Sequence, residues 1–410
     1  MTRRGLRYAR QGSLAAAVAV SLLTAPSAGA ETFKPTRFND PAPGPCKPKD
    51  CSLREAITAA NQADGPDRVV LRSGEYEITR PDDGTDDNDD GDFDITSEMT
   101  IKGAGAKKTT VNGNFVHGVF QFLGFSPRKI NGLTVSRGNA TNSAGGIFIG
   151  PSAATVRDVV VKSSVAPGNG GGIVSFSPEL TLDRVTLRGN AAGQQGGGIF
   201  LGVSVADSDV LIRSSAIYAN EATDGAGLTA DETDTTSPQN QLSARVSNST
   251  IDGNKAENDG GGALAIAGAT LKLDHVTVAH NTAEVDGSGG GAGGGVAQPA
   301  GATFVVVDSI VAANTVGATG SSLQCFGSLS GAGNMVSSPA GCSSFPAGPN
   351  VVPSDPRIRP LAANGGPTRT VALRAGSPAI GFANGCPARD QRGVKRPANC
   401  DSGAFERKGP

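Results

Sequence analysis

The chain has 410 residues, with 36 Lys and Arg against 38 Asp and Glu, 58 Gly, three Tyr and no Trp. The balance falls from −2 to −6 once the four arginines of the first thirty residues are set aside, which argues against a nucleic-acid partner. No later stretch approaches the roughly 20 consecutive apolar residues of a membrane helix, so the chain is expected to have no membrane span and a core of small and β-branched side chains.

In chain order, Arg3, Arg4, Arg7 and Arg10 precede an apolar run from Leu14 to Leu23 and then Ala28-Gly29-Ala30. These are the parts of a secretory signal peptide, residues 1–30, and place the mature start near Glu31. Residues 31–66 are expected to form an N-terminal segment with a cap helix. Ser52 followed by Glu55 makes a capping box, and Leu53, Ala56, Ile57 and Ala60 share one helical face. Asn61 to Pro66 ends that helix, and Val69-Val70-Leu71 and Tyr76-Glu77-Ile78 follow as the first strands.

The acidic stretch from Asp82 to Asp94 comes next. Asp86, Asn88, Asp90 and Gly91 match the opening of a calcium loop, and Asp92 and Asp94 continue its alternate positions. Position twelve is Ser97 instead of a bidentate Glu, which excludes an EF-hand. Two expectations stand: an irregular Ca²⁺ site at Asp86, Asn88, Asp90, Asp92 and Asp94, or a solvated acidic loop. No other cofactor is required.

Residues 67–320 repeat. Gly145-Gly146-Ile147, Gly171-Gly172-Ile173, Gly197-Gly198-Ile199, Ala226-Gly227-Leu228, Gly261-Gly262-Ala263 and Gly294-Gly295-Val296 recur with short β-rich runs between them. Those runs end in Asn139, Asn190, Asn220, Asn254, Asn281 and Asn314. A unit this short cannot bury its own apolar face, but parallel stacking of such units does so and pairs every backbone group. The predicted fold is all-β, a parallel β-helix. Equivalent residues then lie about 4.8 Å apart, and the Asn column becomes a ladder of amides along the axis, each Asn also tolerating a left-handed turn.

From about residue 321 Gly, Pro and Cys dominate, so 321–410 is expected to be a loop-rich, disulfide-tied closing region at the far end. Cys46, Cys51, Cys325, Cys342, Cys386 and Cys400 all lie in the exported part, where an even count favours disulfides. Spacing favours 46 with 51, 325 with 342 and 386 with 400, one of fifteen possible pairings.

Two stretches carry a family resemblance. Cys51-Ser52-Leu53-Arg54-Glu55-Ala56-Ile57, followed by Asn61, resembles the CSLREA domain that opens many secreted bacterial β-helix proteins. The segments Asp355-Pro356, 360–368, Leu373, 376–380, 390–393, Arg396-Pro397 and 400–406 resemble the domain called choice-of-anchor Q, with Gly381 where relatives often have Asp. The middle is similar to right-handed repeats of the pectin-lyase-like superfamily, which implies a right-handed helix. In relatives the C-terminal domain commonly precedes an anchoring tail, whereas this chain ends at Pro410. Secretion, with release or loose wall association, is the resulting expectation.

The superfamily includes polysaccharide lyases and glycosidases. A lyase needs carboxylate-bound Ca²⁺ and a Lys or Arg base; a glycosidase needs carboxylates roughly 5–9.5 Å apart. Six residues before the ladder positions from Asn190 onward stand Arg184, Ser214, Asn248, His275 and Asp308, with Asp158 in the coil before them, and seven before stand Asp183, Arg213, Ser247, Asp274 and Val307, with Arg157 in the coil before them. No carboxylate pair repeats there, His275 and His280 read as surface residues, and no catalytic residue is assigned. The expected function is non-catalytic surface or matrix interaction, by adhesion or polysaccharide contact, in a monomer. The alternative is a lyase or hydrolase of acidic glycans.

Overall fold

A computed structural model describes residues 29–83, 87–203, 205–232, 240–287, 290–299, 301–317, 323–344, 350 and 355–408. Residues 1–28, most of the expected signal peptide, lie outside the described residues, as does Asp86. The chain is a right-handed parallel β-helix of about nine turns. One coil shows how it is built: Ile173–Ser175, Glu179–Asp183, Thr186–Arg188 and Ala191–Ala192 are four short strands separated by turns. Each pairs in parallel with the next coil, as in Ile173 with Ile199, Leu180 with Val210, Leu187 with Ile217 and Ala191 with Glu221.

Four stacks of strands result, named here in their order within this coil. The first and second stacks merge into a 20-stranded sheet, since Cys325–Ser330 pairs with both; the third has ten strands and the fourth six. Alternation turns every second side chain inward. In the second stack Val156, Leu182, Ile212, Val246, Leu273 and Val306 form one buried row, each side chain contributing about 1.5–3 kcal/mol by burial.

The Gly pairs and the Asn residues are two halves of one corner. A Cβ on Gly198 would lie 2.4 Å from the Gly227 carbonyl oxygen of the next coil and 3.0 Å from the Asn220 amide nitrogen, and Gly172 and Gly262 are equally crowded. Close approach of coils therefore requires these glycines. Asn190 donates its backbone N–H and its side-chain amide to Asn220 Oδ1, both at 3.0 Å, and the pattern continues through Asn254, Asn281 and Asn314 to Gln324. Each amide also donates to a carbonyl of the preceding coil, as Asn220 does to Leu187.

Two expectations need correction here. Asn139 lies one residue past the ladder: it is exposed and donates to the Phe115 carbonyl, while Gly138 and Ser164 hold the ladder register and Ser164 N–H donates to Asn190 Oδ1. The left-handed residue is the one before each Asn, namely Gly189, Ala219, Gly253, His280 and Ala313. The Asn column thus serves hydrogen bonding and not backbone conformation.

The helix Leu53–Gln62 starts with the expected capping box, and Leu53, Ala56, Ile57 and Ala60 are buried against the first coil. A strand precedes it, because Thr32–Phe33 pairs in parallel with Arg68–Val69. At the other end the stacking passes residue 320 and runs through Met335–Val336 to Cys342–Ser344. Disulfides join Cys46 to Cys51, Cys325 to Cys342 and Cys386 to Cys400.

Residues 355–408 follow the last coil. They fold back along the side, over the left-handed turns between the second and third stacks. Thr368 Oγ1 donates to Ser214 O, Gln391 Nε2 to Ser215 O and Arg396 to Asn248 Oδ1. Asp308 accepts from the backbone of Asn384 and Gly385. The turn residues Ser214, Asn248, His275 and Asp308 all have positive φ, and their carbonyls and side chains supply partners to a segment with only one hairpin of its own. Among the described residues no helix is long and apolar enough to cross a membrane.

Candidate functional site

The acidic loop is organised around Arg54, which is fully buried in the cap helix. Its guanidinium makes a two-pronged ion pair with Asp40, at 2.8 and 2.9 Å, and donates to the carbonyls of Asp90, Gly91 and Asp92 at 2.9, 2.9 and 3.0 Å, with Asn88 O at 3.5 Å. A permanent cation of the chain therefore occupies the centre of this loop. The Asn88 side chain is spent on Arg54 O, Thr58 Oγ1 and Asp94 N–H. These oxygens are engaged by groups of the chain itself. Among the described residues, the carboxylates of Asp82, Asp83 and Asp90 approach one another within 4.8 Å, and Asp90 belongs to the expected set.

His117, which stands outside the repeat columns, ties this loop to the next coil. Its Nε2 lies 3.2 Å from Asp82 and its Nδ1 3.6 Å from Asp92. Asp92, with Asp82 and Asp94 beyond it, holds the His117 pKa above its usual value against the opposing effect of burial. A raised folded-state pKa means the tie is complete below the ordinary value near 6.5 and is lost as pH rises through the raised value. The stability difference between wild type and His117→Gln, read from thermal midpoints, is accordingly expected to be larger at pH 6 than at pH 8.5. Equal differences would show that the tie does not titrate.

Beside His117 is an open depression of about 190 Å³ lined by Asp92, Gln121, Asn142 and Phe148. It sits on the outer face of the first stack, whose outward row runs Gln121, Phe148, Val174 and Phe200. Phe148 and Phe176 are half-buried, with ring centres 6.0 Å apart, and Phe200 lies 6.2 Å beyond Phe176. Further along, the loops before the Gly pairs close over this face, so Val174 and Leu264 are buried. A second polar ladder holds these loops: Asn169 N–H donates to Ser143, Gln195 N–H to Asn169, Asp259 N–H to Asp224 and Ala292 N–H to Asp259. Its signal in the sequence was the residue ahead of each Gly-Gly-Gly or Gly-Ala-Gly run.

The two charged columns do stack in register, Arg157 with Asp183, Asp183 with Arg213 and Ser247 with Asp274. One buried carboxylate, Asp183, receives Arg157, Arg184 and Arg213 at 2.8, 3.0 and 3.3 Å. His275 is not a surface residue: it is 2% exposed beneath the C-terminal segment, with Nδ1 2.8 Å from Asp274. His280 is more open and pairs with Asp252 at 2.7 Å.

No family model matches this sequence, and no curated protein matches it. Among solved structures the chain is similar to the pectate lyase Pel9A, at 13% identity and a TM-score of 0.47, with 93% of this chain and 98% of that one covered.

Proposed function

We propose that this is a secreted β-helix protein of surface or matrix interaction, which holds polysaccharide against its side without turning it over. The observation that carries this is the depression at Gln121, Asn142 and Phe148, continued by the Phe176 ring. Aromatic edges beside planar amides and a carboxylate suit a sugar, with its apolar ring faces and its hydroxyls. Its volume of about 190 Å³ falls below the roughly 300–1,000 Å³ of enclosed small-molecule sites, which favours contact with part of a polymer. Binding to a panel of neutral and acidic glycans is expected to fall about tenfold in Phe148→Ala/Phe176→Ala, a loss of roughly 1.4 kcal/mol. Unchanged binding in a folded variant would remove this site.

The second reading, a polysaccharide lyase or glycoside hydrolase of acidic glycans, is favoured by the carboxylates Asp82 and Asp92 flanking His117. Both ring nitrogens face carboxylates, and a general acid must instead aim its proton at the substrate. That arrangement suits a clamp better than a proton shuttle.

The CSLREA and choice-of-anchor Q assignments belong to the same proposal. What supports the first is the work each motif residue does: Cys51 closes a disulfide, Ser52 and Glu55 cap the helix, Leu53, Ala56 and Ile57 enter the core, and Arg54 gathers the acidic loop. Three disulfides accord with secretion. Ca²⁺ at Asp86, Asn88, Asp90, Asp92 and Asp94, with the Asp82 and Asp83 carboxylates beside Asp90, belongs to the same proposal, as does a monomer, loosely wall-associated or released.

A further inference from the structure

We propose that cleavage after Ala30 completes the first coil: the α-ammonium it creates on Glu31 becomes the ion-pair partner of the buried Asp67 carboxylate. The inference rests on the secretory reading above, in which the mature chain begins near Glu31, and gives that new end a structural role.

Asp67 opens the strand Asp67–Val70, and alternation turns it inward with Val69, so it is fully buried. Its Oδ1 accepts from the Glu31 backbone N–H at 2.8 Å, while its Oδ2 is buried and has no hydrogen-bond partner among the described residues. The inward column that Asp67 starts continues with Met99 and then Arg128. Arg128 stands two coil steps away, about 9.6 Å, and its guanidinium is taken up by the carbonyls of Thr96, Leu123 and Gly124. A buried carboxylate that lacks both a countercharge and a second donor is strongly unfavourable. The nitrogen that approaches it belongs to the residue at which the mature chain is expected to begin.

The strand itself holds Glu31 in place, independently of what precedes it. The Glu31 carbonyl accepts from Arg68 N–H at 2.9 Å, and Thr32–Phe33 pairs in parallel with Arg68–Val69. Gly29 and Ala30 are exposed, and a Cβ on Gly29 would meet nothing within 4 Å. In the uncleaved chain Glu31 offers Asp67 one neutral amide N–H. Hydrolysis of the Ala30–Glu31 bond consumes one water: Ala30 leaves as a carboxylate, and Glu31 keeps the nitrogen as an ammonium. That nitrogen, already within hydrogen-bond reach of Oδ1, then carries a positive charge and three donors, enough for both carboxylate oxygens. The pair fastens the strand that covers the edge of Asp67–Val70, and an uncovered edge is a template for pairing with another chain.

The test compares the whole mature chain beginning at Glu31 with the same chain retaining Gly29-Ala30, each with and without Asp67→Asn, by hydrogen exchange at the Arg68 amide. Exchange is expected to be at least about tenfold faster in the longer chain, because one partner of a buried pair is then absent. Asp67→Asn should speed exchange by a similar factor in the chain beginning at Glu31. In the longer chain it should change exchange little, since it removes a charge that has no partner there; that non-additivity is the signature of the pair. Equal exchange in the two wild-type chains, or the same effect of Asp67→Asn in both, would overturn the inference. Should Asp67→Asn fail to fold, the comparison of the two wild-type chains decides alone. N-terminal sequencing of the exported protein separates the pair from the reading beneath it. An uncleaved chain kept in the cell would overturn the secretory reading and the pair together, whereas a chain exported with Glu31 first but with equal exchange would overturn the pair alone.

Discussion

Arg54→Met is expected to destabilise the protein by about 3–5 kcal/mol, the cost of removing one partner from a buried ion pair. The methionine keeps most of the length and fills most of the space, so packing is largely preserved. What remains is Asp40, 6% exposed, with its charge no longer compensated, and the carbonyls of Asp90, Gly91 and Asp92 without their donor. The loss should be local first: hydrogen exchange of residues 87–92 and of the helix Leu53–Gln62 should rise before the middle coils respond. Asp40→Asn placed on Arg54→Met should recover part of the loss, because it removes the stranded charge. A cost below about 1 kcal/mol, in the range of an exposed pair, would show that the loop does not depend on this cation.

Asn220→Ala should cost about 2–4 kcal/mol, from two buried backbone groups at roughly 1–3 kcal/mol each, less any relief from water entering the gap. The groups are Asn190 N–H and Leu187 C=O, and the variant also breaks the side-chain chain to Asn254. Asn139→Ala, by contrast, should change stability by less than about 0.5 kcal/mol, as is usual for an exposed site. Denaturant midpoints of the two variants therefore test the one-residue register directly. Similar losses at both positions would put Asn139 back in the ladder. Gly198→Ala should be destabilising as well and should not add independently to Asn220→Ala, since the two residues meet across the same corner.

The parts of the fold set by repetition were legible in the sequence. Gly-Gly-hydrophobic and the Asn-ended runs each mark one side of a corner that every coil must make, so six copies outweigh any single ambiguity. Ser52 and Glu55 were legible because a capping box is local. Residues acting across long separations were not. Nothing local tells that Arg54 will reach residues 34 to 38 positions away, or that His117 will meet an acid on a loop before it. The displaced Asn139 has the same origin: Ser136 pairs with Lys162, and Lys162 with Arg188, so counting from the strands gives Gly138, whereas counting by residue type selects its neighbour. The docking of the C-terminal segment along the side was not legible, because Gly, Pro and Cys announce loops without saying which surface those loops cover.

The most direct test of a contact function is incubation of the purified mature protein with polyuronates and neutral glycans, with and without Ca²⁺, following unsaturated products, reducing ends and bound polymer together. Retained polymer with neither product is the predicted result. Sustained release of unsaturated or reducing ends, abolished by His117→Gln or Asp92→Asn in folded protein, would contradict it and make the acidic loop a catalytic centre.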